Sequence, residues 1–144
     1  MNLSPKFWLF ISFGILGVFG EVVYTSLKAL IRERSLRLQG RSYLWMFPIY
    51  GLIALLFDPA HRFMSAWSWP LRGLGYMVVI FAVEYLAGAL LERITGDHVW
   101  HYKGRYNLHG HIQLAHAPVW FAVGLLVERY YPQMLALSHW LARA

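Results

Sequence analysis

The segment Phe7–Leu27 reads FWLFISFGILGVFGEVVYTSL, 21 residues with a single ionisable group, Glu21. At 1.5 Å per residue a helix of that length spans about 30 Å, the hydrocarbon thickness of a bilayer. A cleaved leader is the competing reading, but a leader has an apolar stretch of about 7–15 residues followed by a small-x-small site. Neither feature fits, so the segment is expected to be retained as a membrane helix. Gly14, Gly17 and Gly20 recur along it, a smooth strip that another helix could approach closely. The general tolerance of glycine in membrane helices accounts for them equally well.

The rest of the chain agrees with a membrane setting. Of its 144 residues, 58% are apolar, 17% aromatic and only 14% charged, whereas a soluble domain carries about 25% charged residues. This excludes an ordinary soluble globule, and the ample apolar surface excludes disorder. Lys and Arg number 13 against 7 Asp and Glu. In an apolar chain such an excess sets orientation and meets anionic headgroups, so membrane lipids are the expected partners and nucleic acid is not. Cysteine is absent, which removes disulfides, thiolate zinc sites and thiol nucleophiles.

Beyond the first span, Lys28–Arg41 is a solvated basic segment that continues the helix towards a turn near Gly40. Residues 43–57 form a second apolar run of about 22 Å if helical, short enough either to span or to re-enter. Asp58–Arg72, with Trp67 and Trp69, reads as an interfacial connection. Residues 73–91 and 114–131 are the third and fourth spans, separated by a polar loop. After Pro132, the stripe Met134, Leu135, Leu137, Trp140 and Leu141 fits a short helix lying in the interface. The expected fold is therefore all-α: a single transmembrane domain over residues 1–144, an integral bundle of about four helices with an interfacial C-terminal helix. The basic residues concentrate in the first and third loops, which favours both termini outside. The expected location is the bacterial inner (cytoplasmic) membrane, multi-pass.

Two carboxylates stand out. Glu21 and Glu84 each precede the charged end of a span by similar distances, and the two spans run in the same direction. A carboxylate at that depth costs several kcal/mol unless paired, protonated or solvated. A polar intramembrane site for a cation, proton or headgroup is the favoured reading. The alternative is a hydrogen-bonded lock to Tyr24, Tyr50 or Tyr85. Glu128, next to Arg129 near a span end, reads as a solvated surface acid.

The loop holds His98, His101, His109, His111 and His116. The i, i+3 pair His98 and His101, the pair His109 and His111, and Asp97 could in principle meet around a metal. No strong metal spacing is present, and interfacial histidines usually serve as hydrogen-bonding groups, so neither metal nor cofactor is expected. The chain has no nucleophile elbow and no phosphate-binding glycine loop.

The residues Trp100, Tyr102, Asn107, Gly110, Ile112 and Leu114 resemble the signature of a small membrane-protein family, called putative ABC-transporter type IV in bacteria and transmembrane protein 229 in animals. Gly20-Glu21 with Tyr24, Pro48-Ile49-Tyr50-Gly51, and Glu84-Tyr85 with Gly88 agree with it, as do Trp120 and Gly124. The chain departs where many bacterial relatives have Asp between the Trp and Tyr, here His101, and Asn before the Gly, here His109. The resemblance implies transport. Four helices are few for a pathway, so oligomerisation or a partner permease and ATPase is implied. The substrate-binding set expected on these grounds is Glu21, Tyr24, Tyr50, Glu84, Tyr85, Trp100, Tyr102 and Asn107, with Trp100 and Tyr102 anchoring the loop at the interface. The ligand would be a small solute or a lipid. A membrane-embedded enzyme acting on an amphiphile and a non-catalytic assembly subunit are the alternatives.

Overall fold

The structure, a computed structural model, describes residues 3–34 and 36–144. Helices dominate: α1 (Pro5–Glu33), α2 (Met46–Met64), α3 (Trp69–Thr95) and α4 (Ala117–Leu141), with a two-stranded hairpin, β1 (Asn107–Leu108) and β2 (Ile112–Gln113), before α4. Two of the described helices, α1 and α3, are long and apolar enough to cross a membrane. A core helix of a soluble protein would be mostly buried, yet only 11% of the most apolar window of α1 and 33% of that of α3 are covered. Ile15, Leu16 and Phe19 on α1, and Val78, Leu86 and Leu90 on α3, are exposed. Such continuous apolar faces need a nonpolar surrounding.

Local chemistry fixes the helix ends. Ser4 caps α1, its hydroxyl accepting from the Phe7 N–H at 3.3 Å, and Pro5 follows at the first helical position, where its missing N–H is no loss. The helix ends on Arg34 in the left-handed region, φ 50°. Pro70 stands second in α3, where its missing N–H is likewise no loss, and Gly96 closes the helix at φ 74°, its N–H donating to the Glu92 carbonyl at 2.8 Å. A left-handed residue at this place is the commonest helix stop, and glycine adopts it without a Cβ penalty.

Two expectations change. α2 begins at Met46 and runs to Met64 with Pro59 inside it, so much of the anticipated 58–72 connection is helix. Pro48 falls in the first turn of α2, where no intrahelical N–H bond is lost. The separate C-terminal helix is not seen either: α4 continues through Pro132 to Leu141. The proline removes one donor from the helix without ending it.

The chain forms two compact units, one of residues up to Leu55 with Met134–Ala144, the other Leu56–Gln133. In the first, α1 and α2 approach closely through glycines. A Cβ on Gly14 would lie 2.8 Å from the Phe47 ring, one on Gly51 2.6 Å from the Phe10 ring, and one on Gly17 would strike Tyr50. Gly20, expected to extend this strip, faces open space. In the second unit the Phe57 ring lies 5.1 Å from that of Tyr76 and 4.8 Å from that of Tyr131.

Candidate functional site

In the second unit, the loop between α3 and α4 docks along one stripe of α3. Glu84, Gly88 and Glu92 recur at i, i+4 and i+8 and so share a helical face. Each meets a different part of the loop. The Tyr102 hydroxyl donates to Glu84 Oε1 at 2.8 Å. Gly88 leaves room for His111, whose Nδ1 would lie 2.8 Å from any added Cβ. Glu92 reaches His98 and His111. Beside the stripe, the Tyr85 hydroxyl and His109 Nδ1 are 2.8 Å apart.

The hairpin delivers these groups. Leu108 pairs with Ile112 and Asn107 with Gln113. His109 and Gly110 make the turn at φ 51° and 76°, and the His111 N–H donates to the Leu108 carbonyl at 3.0 Å. Two successive left-handed residues define a type I′ turn, whose preferred pair is Asn-Gly. The Asn107 carboxamide accepts from the Gly110 N–H at 3.0 Å and donates to the Gly104 carbonyl. Trp100 is buried, its indole N–H donating to the His111 carbonyl at 2.9 Å. The expected interfacial anchor therefore lies inside the loop, because its N–H finds a partner in the hairpin rather than in headgroups.

At the far end of the stripe three groups converge. His98 Nε2 lies 3.3 Å from one Glu92 oxygen, and His111 Nε2 lies 3.2 Å from the other. All three potential ligand atoms fall within 4.8 Å of one another. Burial pushes the His111 imidazole below its ordinary pKa, opposed by the Glu92 carboxylate. Of the metal-capable residues weighed from sequence, His98 and His111 meet. His109 goes to Tyr85, and Asp97 accepts from the His98 backbone N–H at 2.8 Å. Glu92, read from sequence as the start of the loop, completes the group instead.

Sequence reasoning also missed a polar cluster in this unit. Arg72 Nε donates to Glu128 Oε1 at 2.9 Å, and His61 Nδ1 is 2.6 Å from the Tyr76 hydroxyl and 3.9 Å from the same carboxylate oxygen. Glu128 is thus a paired acid with an 18% exposed side chain, not a solvated one. Continuation of α4 places it in mid-helix.

The first unit holds Glu21. Its Oε2 accepts from the Ser42 hydroxyl at 2.7 Å and from Tyr50 at 3.4 Å. Thr25 Oγ1 accepts from the Arg41 N–H at 2.9 Å, and Gly40 packs on the Val22 carbonyl, so the chain after α1 folds back against it. Tyr24 is exposed, with the Lys28 ammonium 5.8 Å from its ring centroid. Next to Ser42 opens a groove of about 680 Å³, lined by side chains of α1 (Ile15, Val18, Phe19 and Val22), of the returning segment (Tyr43 and Leu44) and of the start of α2 (Phe47). Arg41 and Ser42 are its polar members. The expected set therefore divides between the units: Glu21, Tyr24 and Tyr50 belong to the first, and Glu84, Tyr85, Trp100, Tyr102 and Asn107 to the second.

Residues 8–143 match the family described as putative ABC-transporter type IV. No curated protein and no solved structure matches the chain.

Proposed function

The chain belongs to the putative ABC-transporter type IV family, and from that premise we propose that it is a multi-pass, permease-like membrane component that holds an acyl-chain amphiphile against α1. The observation that supports this reading is the groove between residues 15–22 and 40–47. The groove is open along one side and almost wholly apolar, a shape that suits a chain lying along a helix rather than an enclosed solute. An acyl chain suits the lining. Arg41 supplies the donor that a headgroup would need, and Ser42, whose hydroxyl donates its hydrogen bond to Glu21, offers the headgroup an acceptor. Glu21 and Tyr50 then act on the ligand through Ser42.

Glu84 takes a different part. Its hydrogen bond to Tyr102 favours the lock over the binding role, so Trp100, Tyr102, Asn107 and Tyr85 shape the loop. Transport in this reading needs a partner ATPase, since these residues carry no phosphate-binding glycine loop. The test is to fill the groove. Val18→Trp should reduce the lipid retained by the detergent-purified protein several-fold in native mass spectrometry, with the melting temperature unchanged. Equal lipid retention by a stably folded Val18→Trp protein refutes the reading.

A further inference from the structure

We propose that Glu92, His98 and His111 form a binding site for a divalent first-row transition metal, with zinc the preferred ion. This site is independent of the groove: it lies wholly within the Leu56–Gln133 unit and uses none of the groove's residues.

The geometry carries the proposal. Zinc bonds to imidazole nitrogen and carboxylate oxygen are about 2.0–2.2 Å, so neighbouring ligand atoms of a tetrahedral site stand about 3.3 Å apart. The two observed nitrogen–oxygen separations are 3.3 and 3.2 Å. Both histidines turn Nε2 towards the same carboxylate, and the three groups can close on one ion with small movements. Two imidazoles and one carboxylate are borderline donors that suit zinc and its neighbours rather than calcium or magnesium. Three protein ligands leave a further position, and the exposure of the Glu92 side chain, 42%, gives water access to it.

The backbone is built to bring the three together. Glu92 sits on the last full turn of α3. Gly96 ends that helix in a left-handed turn, which lets the chain double back so that His98 returns to Glu92, six residues earlier in sequence. His111 arrives from the hairpin, fixed by its turn and by the bond from Trp100 to its carbonyl. Gly88 admits the His111 ring against α3. A bound ion would tie the end of α3 to both ends of the loop.

The competing explanation is a bridge in which the carboxylate accepts one N–H from each imidazole. Tag-free, chelator-treated protein in detergent, titrated with Zn²⁺ and Co²⁺, separates the two. The expected result is one ion retained per chain, a rise in melting temperature on adding Zn²⁺, and visible Co²⁺ absorption of a low-coordinate site. Glu92→Gln and His98→Gln should each lower the affinity by about tenfold or more. His139→Gln, outside the cluster, should leave it unchanged. Absence of a stoichiometric ion, or unchanged affinity in folded Glu92→Gln and His98→Gln proteins, overturns the proposal. Should those variants fail to fold, X-ray absorption on the zinc-loaded natural chain decides. Two imidazoles with a carboxylate support the site, and a shell with fewer than two imidazoles overturns it.

Discussion

His109 shows how one residue can be strained and useful together. It holds φ 51° at the first centre of the hairpin turn while its ring meets the Tyr85 hydroxyl. Left-handed backbone costs an ordinary L-residue about 1–2 kcal/mol, least for Asn and Gly. His109→Val should therefore lower unfolding free energy by about 1–2 kcal/mol, measured by chemical denaturation in detergent. His109→Asn, which restores the preferred turn pair, should stay within about 0.5 kcal/mol of the natural chain. Gly110→Ala should be worse than His109→Asn, since its Cβ would also strike His101. Gly110 was legible as a member of the family signature, while the left-handed turn it makes with His109 is seen in the structure. The role of Trp100 was not legible, since an indole beside charged residues reads as interfacial until the hairpin supplies its acceptor.

At the scale of elements, the loop's attachment to α3 depends on contacts spaced one helical turn apart. A buried hydrogen bond to a charged group is worth about 1.5–3 kcal/mol. A double-mutant cycle of Glu84→Gln and Tyr102→Phe should thus show a coupling above about 1 kcal/mol, and additive effects would remove this contact from the lock. Gly88→Val should push His111 away and loosen the loop. Trypsin would then cut faster at Lys103 and Arg105, both exposed; unchanged cleavage would show that the dock tolerates the added bulk. The stripe was half visible in the sequence. Glu84 and Gly88 were noticed inside a span, but ending the helix at residue 91 left Glu92 in the loop and hid the third member. A larger error at the end of α4, about three turns, made Glu128 seem solvated. The end of α3 is misread because the charged pair Glu92-Arg93 marks where the apolar run stops, whereas the helix continues to the glycine at 96.

For the molecule as a whole, the decisive property is how little of its apolar surface it covers by itself. α1 and α3 present long exposed apolar faces, so the chain should remain in the membrane pellet after alkaline carbonate extraction. Release into the supernatant would contradict a membrane-spanning role. This property was legible from composition, because a charge content this low has few other outcomes. How the chain divides was not: Glu21 and Glu84 look equivalent by position in their spans, yet each takes partners from its own compact unit. Sequence periodicity gives depth along a helix and says little about which neighbour a given face will meet.

The attachment of the loop to α3 also bears on biogenesis. The contacts described above join residues between Glu84 and Gln113, and they span short stretches of chain. Local contacts require little loop-closure entropy and form quickly. Chains are made at about 5–20 residues per second, N-terminus first, so this piece can assemble before α4 has been synthesised. The helix–hairpin segment would then be a finished surface awaiting α4, and errors in its turn would appear first as slow maturation in the membrane.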